Sequence, residues 1–205
     1  MAKSHIQHLI CVTNRKLCKV DIVKRVEEIV KYKPMGILLR EKDLPEDDYE
    51  ILAKDVLKIC QNAEVICILH NFVDTALKLK ADAIHMTYTS LRIMRREDKE
   101  KFYSIGASCH STEEARKAQA FGCTQIIAGH LFDTLSKKDF PPHDLNFFRE
   151  IIENVTIPVY AIGGITKYNI ESVRLTGVAG ACVMRGPMLC DNVDEYFKGW
   201  DREVD

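Results

Sequence analysis

The sequence predicts an α/β protein folded as a single-domain (β/α)8 barrel, the TIM-barrel architecture, over residues 1–205. Eight short apolar runs are spread along the chain, and most are continuous rather than alternating, as is typical of parallel strands covered on both faces. Segments with helical spacing of apolar residues separate these runs. The length lies near the lower limit for such a barrel. The pattern alone leaves a doubly wound open sheet as the alternative.

The elements follow one another without a linker or repeat. The eight apolar runs are Leu9–Val12, Ile37–Leu39, Val65–Leu69, Ala83–Ile84, Ile105–Ala107, Ile126–Ala128, Val159–Ile162 and Ala181–Met184. Pro34 and Pro158 stand before the second and seventh runs, where each ends a helix or turn. Ser111 followed by Glu114 forms a capping box, which predicts that a helix begins after the fifth strand.

Composition narrows the classes of function. The formal net charge of -1 argues against a general nucleic-acid binder. No apolar run approaches the roughly 20 residues that span a bilayer, and the N-terminus lacks the apolar core of a signal peptide. We therefore expect a cytoplasmic protein with no membrane partner. The eight cysteines form no C-x-x-C pair, so we expect reduced, structural thiols rather than disulfides or a metal site.

The loop after the sixth run carries the strongest candidate site. His130 stands where that run ends, and Thr134, Ser136 and Lys137 follow within the same loop. This combines a group that exchanges protons near neutral pH with two hydroxyls and a cation, which suits an anionic substrate on which a proton is moved. The alternative is an ordinary polar loop with an exposed histidine.

Other strand ends supply candidates for binding an anionic substrate. Arg40 and Lys42 follow the second strand, Asn71 follows the third, and His110 follows the fifth. The seventh strand ends in Gly163 and Gly164, and the eighth ends in Met184 and Arg185. Because loops after strands seven and eight of such barrels commonly hold a phosphate, we expect these two loops to bind one. A tight turn is the alternative for the glycine pair.

Several motifs resemble the thiamine phosphate synthase/TenI family, and in order and spacing they cover nearly the whole chain. They are the segments 38–43 (LLREKD), 81–85 (ADAIH), 108–115 (SCHSTEEA) and 161–165 (AIGGI). The resemblance implies a (β/α)8 barrel and a role in thiamine biosynthesis on a small-molecule thiazole phosphate. It also matches Arg40, Lys42, Thr134, Ser136 and Lys137 to the synthase's diphosphate-contacting positions. A homo-oligomer is possible on the sequence.

The family contains two activities, and the residues are expected to separate them. The synthase joins a pyrimidine diphosphate to a thiazole phosphate, displacing pyrophosphate with magnesium held by acidic residues after strands three and four. The matching positions here are Phe72 and Ser90, which are not carboxylates, so a metal would be poorly held. We expect magnesium to matter only if the chain is a synthase, and we expect synthase activity to be absent or weak.

The other activity is that of a thiazole tautomerase, which aromatises a carboxythiazole phosphate by moving a proton. The segment 129–134 (GHLFDT) resembles the tautomerase version, with His130 as the catalytic acid and base and with no metal. The sequence thus predicts a tautomerase first. A synthase is the second possibility, and a phosphate-ligand sensor without catalysis is the third.

Overall fold

The computed structural model describes residues 5–132 and 142–200. Eight parallel strands are hydrogen-bonded in chain order and close into a barrel, which confirms the predicted (β/α)8 fold and excludes the open sheet. The strands are β1 (Leu9–Val12), β2 (Gly36–Leu39), β3 (Ile66–His70), β4 (Ala83–Thr87), β5 (Ser104–Cys109), β6 (Gln125–Gly129), β7 (Val159–Ile162) and β8 (Gly180–Val183).

Helices follow the strands in the alternating order that the sequence predicts. They are α1 (Ile22–Val30), α2 (Glu46–Asn62), α3 (Val73–Lys78), α4 (Tyr88–Ile93), α5 (Arg96–Lys99), α6 (Thr112–Ala120), α7 (Leu145–Asn154), α8 (Ile170–Arg174), α9 (Arg185–Leu189) and α10 (Val193–Phe197). Ser111 caps α6 as predicted, since its hydroxyl accepts a hydrogen bond from the Glu114 backbone N–H at 3.1 Å, while the Glu114 carboxylate accepts from the His110 N–H one residue before the cap. Among the described residues, no helix is long and apolar enough to cross a membrane.

The strands extend further into polar sequence than their apolar runs indicate. His70 is the last residue of β3, and His85 and Ser108 lie inside β4 and β5. The hydrogen bonds between strands are made by backbone groups and do not depend on side-chain polarity. The β4–β5 ladder therefore continues until Thr87 pairs with Ser108. Side chains that the sequence places in loops are therefore held on rigid strands.

The chain divides into two compact units. The first contains residues up to 81 and from 183 onward, and the second contains residues 82–182. Each has its own ladder of strands, with Leu39 of β2 paired to Leu69 of β3 in the first unit. In the second, Gly129 of β6 is paired to Ile162 of β7. The prediction of one domain over residues 1–205 stays a prediction.

Tyr49 on α2 fixes the ends of β2 and β3 in the first unit. Its side chain is fully buried, and its hydroxyl donates to the Leu39 carbonyl at 2.8 Å and accepts from the His70 N–H at 2.9 Å. The Phe72 ring lies against the Tyr49 ring, with 4.4 Å between their centroids. One hydroxyl thus joins two strands at the edge where Arg40 and Asn71 emerge.

We expect a Tyr49→Phe variant to lose about 1 to 3 kcal/mol of unfolding free energy, because both buried hydrogen bonds disappear while the ring remains. Urea denaturation followed by circular dichroism measures the loss. Tyr103→Phe is the matched control, since Tyr103 is 91% exposed and its hydroxyl removal should leave stability unchanged. Equal stability of the two variants would contradict the bridging role of Tyr49.

Candidate functional site

The loop after β2 in the first unit carries a cation whose neighbouring carboxylates are already neutralised. Glu41 is 2% exposed and accepts hydrogen bonds from the Arg15 backbone N–H at 3.0 and 3.1 Å. Both terminal nitrogens of the Arg15 guanidinium donate hydrogen bonds to the Asp43 carboxylate, at 2.7 and 2.8 Å. Lys16 forms a salt bridge with the same carboxylate at 2.8 Å. Arg15 and Lys16 hold the pKa of Asp43 well below its usual range.

Arg40 stands beside these paired charges and is half-buried. Its backbone N–H donates to the Thr13 hydroxyl at 2.9 Å, which ties the end of β2 to the end of β1. Among the described residues, the Arg40 guanidinium has no hydrogen-bond or salt-bridge partner, and burial lowers its pKa although Glu41 opposes the shift. A partly desolvated guanidinium of this kind favours an anionic ligand, above all a carboxylate or phosphate.

The other predicted residues of the first unit lie on neighbouring elements. Lys42 is exposed, and Asn71 is half-buried in the left-handed backbone region at φ 64°. Met184 and Arg185 lie at the start of α9, with Arg185 half-buried. A side chain at Gly186 would overlap the Tyr196 ring, with the added carbon 2.4 Å from a ring atom, so α9 packs closely on α10.

The second unit brings together His110 and the end of β6. Nδ1 of His110 lies 2.9 Å from the Gly129 carbonyl oxygen. Because a carbonyl only accepts hydrogen bonds, Nδ1 carries the proton. The His110 backbone N–H donates to the Glu114 carboxylate at 2.7 Å, so α6 also fixes the backbone of this residue.

His130 is buried rather than exposed in its loop. Its side chain is 5% exposed, and Nε2 has no hydrogen-bond partner among the described residues. Its carbonyl accepts from the His143 N–H at 2.8 Å, and the His143 ring stacks on Phe147 with 3.8 Å between centroids. The alternative of an ordinary polar loop with an exposed histidine is therefore wrong about the exposure of His130.

Gly163 packs directly against His130. A carbon added at Gly163 would lie 2.3 Å from the His130 Cβ and 2.8 Å from its Cα, and the glycine adopts φ 109°. The Phe132 N–H donates to the Gly163 carbonyl at 3.1 Å, and the Asn169 side chain donates to the Gly164 carbonyl at 3.0 Å. The predicted glycine pair and the predicted histidine thus form one packed junction, which the sequence did not indicate.

Three predicted residues of the loop, Thr134, Ser136 and Lys137, lie outside the described residues. The predicted phosphate site pairs the Gly163–Gly164 loop with the Arg185 loop, and that pairing stays a prediction. Sequence reasoning missed the hydrogen bond between His85 Nε2 and the Ser108 hydroxyl at 2.8 Å. It also missed the Thr13–Arg15 segment, although polar residues directly after β1 were a signal of the same kind.

The magnesium that the family resemblance implies does not fit the residues at the expected positions. Phe72 places its ring on Tyr49, and the Ser90 hydroxyl lies 2.7 Å from that of Thr87, in the cap of α4. Neither offers the carboxylate oxygen that magnesium prefers. No group of three histidine, cysteine, aspartate or glutamate side chains within 5–132 and 142–200 is arranged to hold a metal.

Comparisons with known proteins identify the chain's relatives. The family model described as thiamine monophosphate synthase matches residues 9–186. A thiamine-phosphate synthase of Fusobacterium nucleatum is 34% identical over 178 residues, which cover 85% of this chain and 86% of that protein. One of Pyrococcus horikoshii is 31% identical over 197 residues, covering 96% and 94%.

A solved structure of a similarly named protein also matches this chain. The thiamine phosphate pyrophosphorylase from Pyrococcus furiosus is 29% identical, has a TM-score of 0.81, and covers 96% of this chain and 94% of its own. More distant barrels, such as 3-hexulose-6-phosphate synthase at 15% identity and a TM-score of 0.70, share the fold.

The expected thiazole tautomerase, an isomerase, is wrong as the leading assignment. Relatives that match almost the whole chain are named thiamine-phosphate synthase, a transferase. The tautomerase assignment depended on one short segment around His130. A histidine after a buried strand can serve packing as well as proton transfer, and this one is buried against Gly163.

We expect Gly163→Ala to destabilise the protein by about 1 to 3 kcal/mol more than Gly177→Ala. Both glycines have positive φ, 109° and 89°, so both substitutions carry backbone strain. Only the carbon added at Gly163 meets the His130 backbone, whereas a carbon added at Gly177 would be in ordinary contact with Ile152 Cδ1 at 3.8 Å. Denaturant midpoints measure the difference in stability. Equal losses of stability in the two variants would show that the contact between Gly163 and His130 adapts to the added carbon without destabilising the protein.

Proposed function

The chain belongs to the thiamine monophosphate synthase family, and we propose that it is a thiamine-phosphate synthase. In this proposal it joins a hydroxymethylpyrimidine diphosphate to a thiazole phosphate and releases pyrophosphate. The names of relatives that are 31 to 34% identical over most of the chain support the reaction class. Its substrates are small anionic molecules.

The half-buried guanidinium of Arg40 is the observation that carries this proposal. The two carboxylates that follow it are bound by Arg15, so they do not compete for Arg40 as a salt-bridge partner. A diphosphate presents several charged oxygens, and a planar guanidinium binds two of them at once. Arg40 is therefore proposed to hold the diphosphate, with Lys42 two positions later as a second cation.

The same charge supports the chemical step. A bond forms between the two heterocycles while the bond to the diphosphate breaks, and the leaving pyrophosphate gains negative charge. A fixed cation beside that group stabilises the charge as it develops, without having to reorganise. Arg40 qualifies because its backbone is anchored to Thr13.

The remaining predicted residues are proposed as ligand contacts. Asn71 and His110 are polar groups at or beyond strand ends, and they are proposed to orient the substrates. Gly163 and Gly164 offer a backbone path free of side chains, which suits a phosphate group. Met184 and Arg185 are proposed to contact a phosphate from their own loop.

A second candidate function follows from Phe72 and Ser90. Because neither side chain supplies a carboxylate, a protein that binds the same phosphate ligands without turnover is the alternative. Such a protein would keep the anion-binding residues and lack product formation.

One assay separates these functions. The purified protein is incubated with the pyrimidine diphosphate and the thiazole phosphate, with and without magnesium, and thiamine phosphate is measured by chromatography. Product above the uncatalysed rate in either condition is the expected result, and it replaces the absent or weak synthase activity expected from Phe72 and Ser90. Tight binding of both ligands in calorimetry with no product in either condition would favour the non-catalytic alternative.

We expect Arg40→Met to lower the rate of thiamine phosphate formation about 100- to 1,000-fold, because one charge-stabilising group is lost from the leaving group. Arg96→Met is the control, since Arg96 is 93% exposed and pairs with Glu100 on the surface of α5. It should retain full activity. An Arg40→Met variant as active as the control would remove Arg40 from the site.

A further inference from the structure

Two cysteines of the first unit differ from the other six. Cys18 and Cys190 are partly exposed, whereas Cys11, Cys60, Cys67, Cys109, Cys123 and Cys182 are buried. Cys18 follows the short turn Arg15–Leu17, and Cys190 follows α9 directly. They are distant in sequence, and one buried arginine acts electrostatically on both.

That arginine is Arg25 of α1, which is 2% exposed. Its Nη1 lies 3.3 Å from the Cys190 sulfur, and its Nη2 donates to the Cys190 carbonyl at 2.8 Å. A cation beside a sulfur favours the thiolate, which is the reactive form of cysteine. Burial raises the pKa of both thiols, and the charge of Arg25 opposes that rise at Cys18 and at Cys190.

A sulfur contact brings Cys18 next to the helix that precedes Cys190. The Cys18 sulfur lies 3.5 Å from the Met188 sulfur, and Met188 stands two residues before Cys190. Cys190 also acts electrostatically on Cys18. The four residues Cys18, Arg25, Met188 and Cys190 are here called the sulfur cluster, and both of its cysteines are partly exposed.

We propose that Cys18 and Cys190 are a reversible thiol–disulfide site for low-molecular-weight disulfides of the glutathione class. The Cys190 thiolate attacks one sulfur of oxidised glutathione, which forms a mixed disulfide and releases one glutathione thiolate. The Cys18 thiolate then attacks the Cys190 sulfur, which forms the Cys18–Cys190 bond and releases the second glutathione. The two protein thiols are oxidised, and the glutathione disulfide is reduced.

The buried pair Cys60 and Cys67 provides an internal control. Cys60 hydrogen-bonds to Cys67 and raises the pKa of that thiol, so these two sulfurs are also neighbours. Cys60 is fully buried and Cys67 is 8% exposed, and within the described part of the chain no arginine contributes to the shift at Cys67. If solvent access and a neighbouring cation decide reactivity, the sulfur cluster reacts and this pair does not.

The test uses the full-length native protein, oxidised glutathione and no substrate, so its outcome is independent of the proposed synthase activity. After incubation, free thiols are alkylated in denaturant, and peptides are mapped by mass spectrometry. We expect a Cys18–Cys190 disulfide that dithiothreitol reverses, with the other six cysteines alkylated. In Cys18→Ser, the glutathione adduct should persist on Cys190 because the resolving thiol is gone.

Two results would overturn the proposal. One is the absence of a Cys18–Cys190 disulfide in the wild-type protein, whether the thiols stay free or carry separate glutathione adducts. The other is formation of a Cys60–Cys67 disulfide at the same rate, which would show that exposure and charge do not select the site. Circular dichroism of the treated protein confirms that the native fold is the reacting species.

Discussion

The pairing of Arg15 with the carboxylates in the loop after β2 decides which charged group of that loop remains available to a ligand. Without the Arg15 side chain, Glu41 would be a buried carboxylate without its ion pair, holding only the hydrogen bonds from the backbone N–H of position 15. Leaving such a charge unpaired is costly, and the cations adjacent to it in sequence are Arg40 and Lys42. The same contact therefore satisfies an acid and leaves a guanidinium available to a ligand. Thr13 completes this arrangement by holding the Arg40 backbone.

In the second unit, packing and hydrogen bonds hold the end of β6. The Gly129 carbonyl is occupied by His110, and the His130 backbone is covered by Gly163. These contacts fix the backbone at the end of β6. A histidine in this environment is a structural residue as well as a polar one, which explains why its presence alone was a poor guide to the reaction.

The sequence was sufficient for the fold because apolar runs report burial on both faces of a strand. It was less informative about where strands end, since His70, His85 and Ser108 are polar residues inside hydrogen-bonded ladders. Arg40 and Lys42 could be selected because strand ends are the known location of such sites. The partners of Arg15 could not, because they lie more than twenty residues away in sequence and are brought to Arg15 by the pairing of β1 with β2.

Function was harder to predict than fold because it was inferred from one loop. Similarity over the whole chain identifies the family. A six-residue segment that includes His130 indicates only which chemical groups lie in one loop. The absence of carboxylates at Phe72 and Ser90 is likewise an observation about single positions. Phe72 is explained by its contact with Tyr49, and Ser90 by the cap of α4, so each has a structural role independent of a metal.

The hydrogen bond from His110 to the Gly129 carbonyl also sets the polarity of the imidazole's other nitrogen. In the neutral ring, a proton on Nδ1 leaves Nε2 with a lone pair and no hydrogen. Any group that hydrogen-bonds to Nε2 of the neutral ring must then bring its own hydrogen, as an amino or hydroxyl group does. A carbonyl or fully ionised phosphate oxygen would meet a lone pair. A main-chain oxygen of β6 thus discriminates between ligand groups that it never touches.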